Sequence, residues 1–278
     1  MKEDPVLDIS IVIPTYYEMD KIEADVRAAA RFIAQNGYRG EIVVVDDGSP
    51  DQTTARASAL RAEFPNLVVL GYQPNRGKGH ALRCGFARTS GRIVMYADAG
   101  LCVPYEIAKV GITMINIGMC DVAHGSRRLR GSRNDGQPLH RRIGSRVFRA
   151  VIHAFMGIPR HFSDTQCGFK IYRGEVAREL YGRVITDGFM YDPEMIMLAR
   201  KYGYQVIEFP VLWNADLHSR SNSLGGTIRN VRELAEVRLA FSPLANWRKR
   251  TRPTIEDSAP VEFHGPAPVS QPATEVEA

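Results

Sequence analysis

Four short apolar runs constrain this chain more than any other feature. Ile9–Ile13, Glu41–Val45, Asn66–Leu70 and Ile93–Ala97 are each five residues long and rich in β-formers. Runs of this length are too short for helices and read as buried strands. The first is closed by Pro14, the second by Asp46-Asp47-Gly48-Ser49-Pro50 and the fourth by Asp98-Ala99-Gly100. Helical patterns separate them over 20–36, 53–64 and 80–89. In the first helix Ile22, Val26, Ala29, Ala30 and Ile33 form one apolar stripe, and Gly37 ends it. Alternating strand and helix predicts an α/β fold, a mostly parallel sheet flanked by helices.

The second half is less regular. Helices are expected over 104–117, 144–156, 193–202 and 227–239, and strands over 121–124, 164–172 and 205–213. From Arg252 onward Pro, Ala, Glu and Ser dominate and periodicity vanishes, as in disordered segments. The expected organisation is a catalytic-type domain over 1–221, a C-terminal helical extension over 222–252 and a disordered tail over 253–278. The N-terminus lacks an apolar signal core, and no stretch approaches the ~20 apolar residues of a membrane span. The four cysteines form no CxxC pair, which argues against a zinc or redox motif. A formal charge of +5 says little by itself, and no nucleic-acid partner is expected.

Charge distribution says more. Three strand ends carry acids: Glu18 after the first, Asp46 and Asp47 after the second, Asp98 after the fourth. In a parallel sheet these loops share one edge, where ligands bind. Acids gathered there call for a ligand or cation to offset their repulsion. Gly77-Lys78-Gly79 fails both the dinucleotide fingerprint and the P-loop pattern. It reads either as a surface turn or as a backbone and lysine approach to a diphosphate. Residues 127–149 hold eight arginines, one acid (Asp135) and no lysine. That bias favours fork-like phosphate recognition over simple solubility. The apolar positions from Val147 to Met156 then fit either a core-packing helix or one resting at a membrane interface.

Six segments, in this order, resemble the family 2 inverting glycosyltransferases of the GT-A, Rossmann-like fold. They are Ile11-Val-Ile-Pro-Thr-Tyr-Tyr-Glu18, Val45-Asp-Asp-Gly-Ser-Pro-Asp-Gln-Thr53, Asn75-Arg-Gly-Lys-Gly79, Tyr96-Ala-Asp-Ala-Gly-Leu101, Gly125-Ser-Arg127 and Asp164-Thr-Gln-Cys-Gly-Phe-Lys170. The wording is most similar to the dolichyl-phosphate and polyprenyl-phosphate glucosyl- and mannosyltransferases.

The resemblance implies donor contacts from Pro14, Tyr16, Glu18, Asp47, Lys78 and Asp98. It implies acceptor-phosphate contacts from Arg127, Arg141 and Ser145, with Asp98, Asp164, Arg127 and Arg141 as the catalytic set. Asp164 would be a sugar contact or a base. Asp98 matches the first acid of the family's Asp-Ala-Asp motif, but Gly100 replaces the second. A Mg²⁺ or Mn²⁺ ion would then rest on Asp98 alone. Asp192 and Glu194 read as a helix N-cap and a first-turn acid. Trp213 and residues 218–222 resemble a loop over the diphosphate.

A lipid phosphate needs no base, because a phosphate monoester already carries about −1.5 to −2 charges at pH 7. A hydroxyl acceptor does need one. The expected function is transfer of a hexose, glucose from UDP-glucose, to a polyprenyl phosphate. The enzyme would sit peripherally on the cytoplasmic, inner face of a membrane. The alternatives are a same-fold transferase with a sugar-hydroxyl acceptor and, given Gly100, a nucleotide-sugar-binding protein without catalysis.

Overall fold

A computed structural model describes residues 7–135, 139–214, 224–242 and 260–263. Its centre is an eight-stranded mixed sheet. The strands are β1 (Ile9–Thr15), β2 (Gly40–Asp46), β3 (Leu67–Gly71), β4 (Ile93–Ala97), β5 (Val122–Ser126), β7 (Phe169–Arg173), β8 (Val206–Pro210) and β10 (Val261–Glu262). Their spatial order is β10-β3-β2-β1-β4-β7-β5-β8. β6 (Arg133–Asp135) and β9 (Leu212–Asn214) pair in parallel as a separate ribbon.

β1, β2, β3 and β4 run parallel, as do β5 and β8. β7 runs antiparallel between β4 and β5. The order reverses between β1 and β4, and such a switch point opens a crevice at the strand ends. Because β7 is antiparallel, its start shares that edge with the ends of β1, β2, β4 and β5. One edge therefore collects residues distant in sequence.

The sheet divides its side chains with the period of two that strands impose. Ile11, Ile13, Ile42, Val44, Met95, Phe169 and Ile171 face one core, under α1 (Ile22–Gln35) and α4 (Ala108–Asn116). Val12, Val43, Val45, Val94, Tyr96 and Tyr172 face the other, with α3 (Lys78–Arg88), α6 (Gly174–Tyr181) and α7 (Tyr191–Lys201). A smaller third core joins Ile152 and Met156 of α5 (Leu139–Met156) to Ile196 and to Leu234 and Val237 of α8 (Leu224–Ala240). The remaining helix, α2, spans Thr53–Ala59.

Several boundaries differ from expectation for definable reasons. β1 runs through Pro14, because its pairing with β4 ends at Val12 and Pro14 interrupts no ladder on that side. The expected strand over 164–172 begins only at Phe169, since Asp164–Gly168 turns around the site. The strand over 205–213 is two strands, β8 and β9. α5 begins at Leu139, five residues early. Asp192 lies inside α7, whose N-cap is Met190. Of the expected tail, residues 260–263 are described. Val261–Glu262 adds an antiparallel strand to β3, and Phe263 packs against the first core. Arg61 donates to the Phe263 carbonyl at 2.6 Å.

Candidate active site

Asp98 stands at the end of β4. Its N–H donates to the Gly168 carbonyl at 2.9 Å, and its carboxylate accepts from Lys78 Nζ at the first turn of α3. A Cβ on Gly168 would overlap that carboxylate. The glycine in the Asp164–Lys170 segment is thus required by Asp98. Gly100 has φ +90° and Leu101 φ +49°, both left-handed. Gly100 accommodates that conformation freely, whereas a side chain there adds strain. Both N–H groups donate to Asp25 of α1, Gly100 at 2.9 and 3.0 Å and Leu101 at 3.0 Å. Asp25 is 1% exposed, and burial pushes its carboxyl up to about 6 against the pull of those N–H groups.

Beneath Asp98 lies a buried polar network. Lys170 of β7 donates to Asp192 and to the Cys167 carbonyl at 2.6 Å each, and to Tyr96 hydroxyl at 2.8 Å. Tyr96 hydroxyl also lies 2.9 Å from that of Tyr191. Lys78 and Lys170 both lie over the Tyr96 ring, at 5.7 and 5.1 Å. Asp192 is therefore tied to Lys170, and burial still holds its pKa above the ordinary value.

Asp47 is buried and organises the neighbouring loop. Its carboxylate accepts from Tyr72 hydroxyl (2.8 Å), Asn75 Nδ2 (2.8 Å), Arg76 N–H (2.8 Å) and Gly77 N–H (2.9 and 3.0 Å). The expected base-facing acid is thus fully engaged in building the wall of the crevice. On the opposite wall, Tyr17 N–H donates to Ser49 Oγ and Glu18 N–H to Thr53 Oγ1. Glu18 pairs with Lys21 at 3.0 Å, Pro14 is buried inside β1, and Tyr16 is 43% exposed.

The Gly77–Gly79 turn has a role that its glycines alone do not reveal. Gly79 N–H donates to the Gly188 carbonyl and His80 N–H to that of Asp187. A Cβ on Gly77 would lie 2.5 Å from the Asp187 oxygen, and one on Gly79 2.5 Å from the Thr186 oxygen. These glycines let segment 186–188 pack onto the start of α3, which absorbs N–H groups that a diphosphate approach would need. The backbone half of the diphosphate reading thereby loses its donors, and Lys78 Nζ faces Asp98. Arg83 and Arg76 fix the same segment through Asp187.

Arg127, just past β5, meets Asp164 edge-on. Its Nε and Nη2 donate at 2.7 and 2.9 Å and its N–H at 3.1 Å. The guanidinium carbon lies 5.4 Å over the Trp213 ring. Burial pushes the Asp164 carboxyl up, but the charge and hydrogen bonds of Arg127 outweigh it and hold the group well below the carboxylate range. A carboxylate held so is a poor proton acceptor near neutrality, so the base role expected as one option for Asp164 has no support in its geometry. Glu208 of β8 accepts from the N–H groups of Ser163 and Asp164 at 2.7 and 2.8 Å and holds this turn.

The edge thus brings together Asp98, Lys78, Arg127, Asp164 and Trp213. Arg141 and Ser145 lie on α5, one turn apart, and their side chains are outside the described residues, as are 218–222. Sequence reasoning missed Asp25, Tyr96 and Glu208, and did not single out Lys170. Only Lys170 carried a signal, as a charge inside an apolar strand. Among the described residues no cluster of three or more His, Cys, Asp or Glu side chains could hold a metal, and no helix is long and apolar enough to cross a membrane.

The sequence profile of Glycosyl transferase family 2 matches residues 10–181, more than half of the chain. The dolichyl-phosphate beta-glucosyltransferase of Saccharomyces cerevisiae is 29% identical over 258 residues, covering 86% of this chain and 77% of the relative. The dolichol-phosphate mannosyltransferase of Pyrococcus furiosus is 31% identical over 224 residues, covering 80% of this chain and 61% of the relative. Among solved structures, the glucosyl-3-phosphoglycerate synthase of Mycobacterium tuberculosis, in complex with Mn²⁺, UDP and glucosyl-3-phosphoglycerate, superposes with a TM-score of 0.62. It is 18% identical and covers 83% of this chain and 80% of that one. S. aureus TarS in complex with UDP gives 0.55 at 19% identity, with 87% and 68% covered. These two likenesses concern the fold. The strand order, the acidic crevice and the profile match converge: this chain is a glycosyltransferase, a member of glycosyl transferase family 2 with the GT-A fold.

Proposed function

We propose that this chain transfers glucose from UDP-glucose to a polyprenyl phosphate, inverting the anomeric carbon. One observation carries the choice of acceptor. The acids gathered on the site edge among the described residues are all engaged: Asp98 with Lys78, Asp164 with Arg127, Asp192 with Lys170, Glu18 with Lys21, Asp46 with Ser49 and Thr54, and Asp47 with its loop. A hydroxyl acceptor needs a base, and none of these carboxylates is poised as one. A phosphate acceptor arrives already charged.

In this reading an acceptor phosphate oxygen attacks the sugar C1 from the side opposite the diphosphate. The new C1–O bond forms as the bond to the UDP oxygen breaks, and UDP leaves as an anion. Arg127, steadied by Asp164 and Trp213, holds the acceptor phosphate, with Arg141 and Ser145 beside it. Lys78 neutralises the departing diphosphate. Among the described residues, Asp98 is the one that would hold a Mg²⁺ or Mn²⁺ ion. One carboxylate plus phosphate oxygens and water is within what Mg²⁺ accepts, so the residues fit a metal held largely by the donor. Such an ion would supply charge neutralisation at the diphosphate.

A lipid acceptor places the enzyme at a membrane surface, the cytoplasmic face in this reading. Val151 and Phe155 of α5 are about half exposed, on a helix rich in arginine, which supports peripheral contact. The test is incubation with labelled UDP-glucose or GDP-mannose, polyprenyl phosphate, and Mg²⁺ or EDTA. Organic-extractable label from UDP-glucose is expected. No extractable label with either donor overturns the proposal, and label from GDP-mannose alone overturns the choice of sugar.

A further inference from the structure

The second acid of the donor motif is missing at Gly100, and a different acid reaches the same turn from behind. Asp25 lies in the first turn of α1, where an acid ordinarily serves the helix dipole. Here its carboxylate crosses to the β4 side and accepts from both left-handed residues of the turn, Gly100 and Leu101. Asp98 is thereby gripped from two directions. The Gly168 carbonyl takes its N–H from the β7 side, and Asp25 holds the chain two residues onward from the α1 side. A buried carboxylate is costly unless its hydrogen bonds are used, and this one uses them on the Gly100 and Leu101 N–H groups. Glu18, Lys21 and Tyr105 are the other titratable groups around it, from the β1 loop and the helical turn before α4.

We infer that Asp25 is a positioning residue for the donor, clamping the Ala99–Leu101 turn so that Asp98 presents its carboxylate to the nucleotide-sugar diphosphate. The inference rests on the transferase reading for its donor but not for its acceptor. It explains how a motif with one acid keeps a defined geometry. In place of a second acidic side chain on the turn, a backbone turn is pinned by an acid beneath it. It also explains why position 100 is glycine, since the pinned turn needs φ near +90° there.

The experiment measures donor affinity by calorimetry, with UDP-glucose and Mn²⁺, on the full chain and on Asp25→Asn. The amide keeps the shape and one acceptor oxygen, so the fold should persist and melt in a single cooperative transition. The dissociation constant of UDP-glucose should rise at least ten-fold, and in turnover assays the donor KM should rise while the polyprenyl-phosphate KM holds. A purely structural role would lower the active fraction and leave both constants unchanged. Donor affinity within two-fold of wild type overturns the inference. Should Asp25→Asn fail to fold, Gly100→Ala disturbs the same turn through its left-handed φ of +90° and carries the same two criteria. A wild-type chain that binds UDP-glucose but yields no lipid-linked sugar rejects the acceptor assignment and leaves this inference standing.

Discussion

Replacing Arg127 by alanine should cost more than a surface arginine would, and in a pH-dependent way. The guanidinium supplies two of the three hydrogen bonds that Arg127 makes to Asp164, at 2.7 and 2.9 Å. Asp164 is 4% exposed and cannot turn to bulk water. Breaking a buried pair from one side typically costs about 3–5 kcal/mol. Arg127 keeps about a quarter of its side chain exposed, so water can enter its place, and a cost of about 3 kcal/mol is expected at pH 8. In the wild type, Asp164 has a pKa below its unfolded value of 3.8. Its contribution to stability is present above that value and is lost as pH falls through the folded pKa. Without Arg127, burial dominates and the folded pKa rises above 3.8. The variant then gains stability as pH falls towards 4, and its deficit shrinks. Urea titrations at pH 8, 6 and 4 read this directly. Arg127→Ala combined with Asp164→Asn should recover at least half of the loss at pH 8, because no buried charge is left unpaired. A deficit independent of pH, or a double variant no more stable than the single one, would refute the reasoning.

Other outcomes follow from the same geometry. Gly168→Ala should displace Asp98 and lower transfer at least a hundred-fold while circular dichroism stays near wild type; transfer within five-fold of wild type would contradict the packing described. Burial raises the folded pKa of Asp25 to about 6, above its unfolded value of 3.8, so the folded state binds the extra proton and stability falls as pH rises between those values. Asp25→Asn, which does not titrate, should therefore gain about 3 kcal/mol relative to wild type between pH 4 and pH 8 in denaturant titrations. Truncation before residue 260 removes β10 and the partly buried Phe263, and should cost about 1–2 kcal/mol by thermal melting, from lost apolar burial. EDTA should abolish transfer, with Mn²⁺ or Mg²⁺ restoring it; full activity in EDTA would mean that Lys78 alone neutralises the diphosphate.

Much of the site was legible because its chemistry sits on strand ends. An apolar run closed by Asp98 or Asp47 marks both a buried strand and a carboxylate at its tip, and the parallel arrangement puts the tips on one edge. The arginine bias of 127–149 was legible as composition. What each group touches was not. Gly77 and Gly79 resembled a phosphate loop, but their missing side chains admit segment 186–188, over a hundred residues away. Asp164 offered two roles in the sequence, and the nearby Arg127 removes one. Asp192 matched an N-cap by spacing, yet Lys170, on an adjacent strand of the central sheet, claims it.

By itself the sequence determined the α/β class, the first four strands, the family and the residue types at the strand-end crevice. These are local properties, set by the pattern of apolar side chains and by turn chemistry along a few residues. Tertiary structure alone decided that β7 inserts antiparallel between β4 and β5, bringing Gly168 against Asp98 and Lys170 against Tyr96. It also decided that a strand from the far C-terminus closes the β3 edge, and that Asp25 pins the turn after Asp98. The reason is the same each time. A buried polar group must find a partner, and the partner is chosen by which backbones the sheet lays side by side, a distance that spacing along the chain does not record.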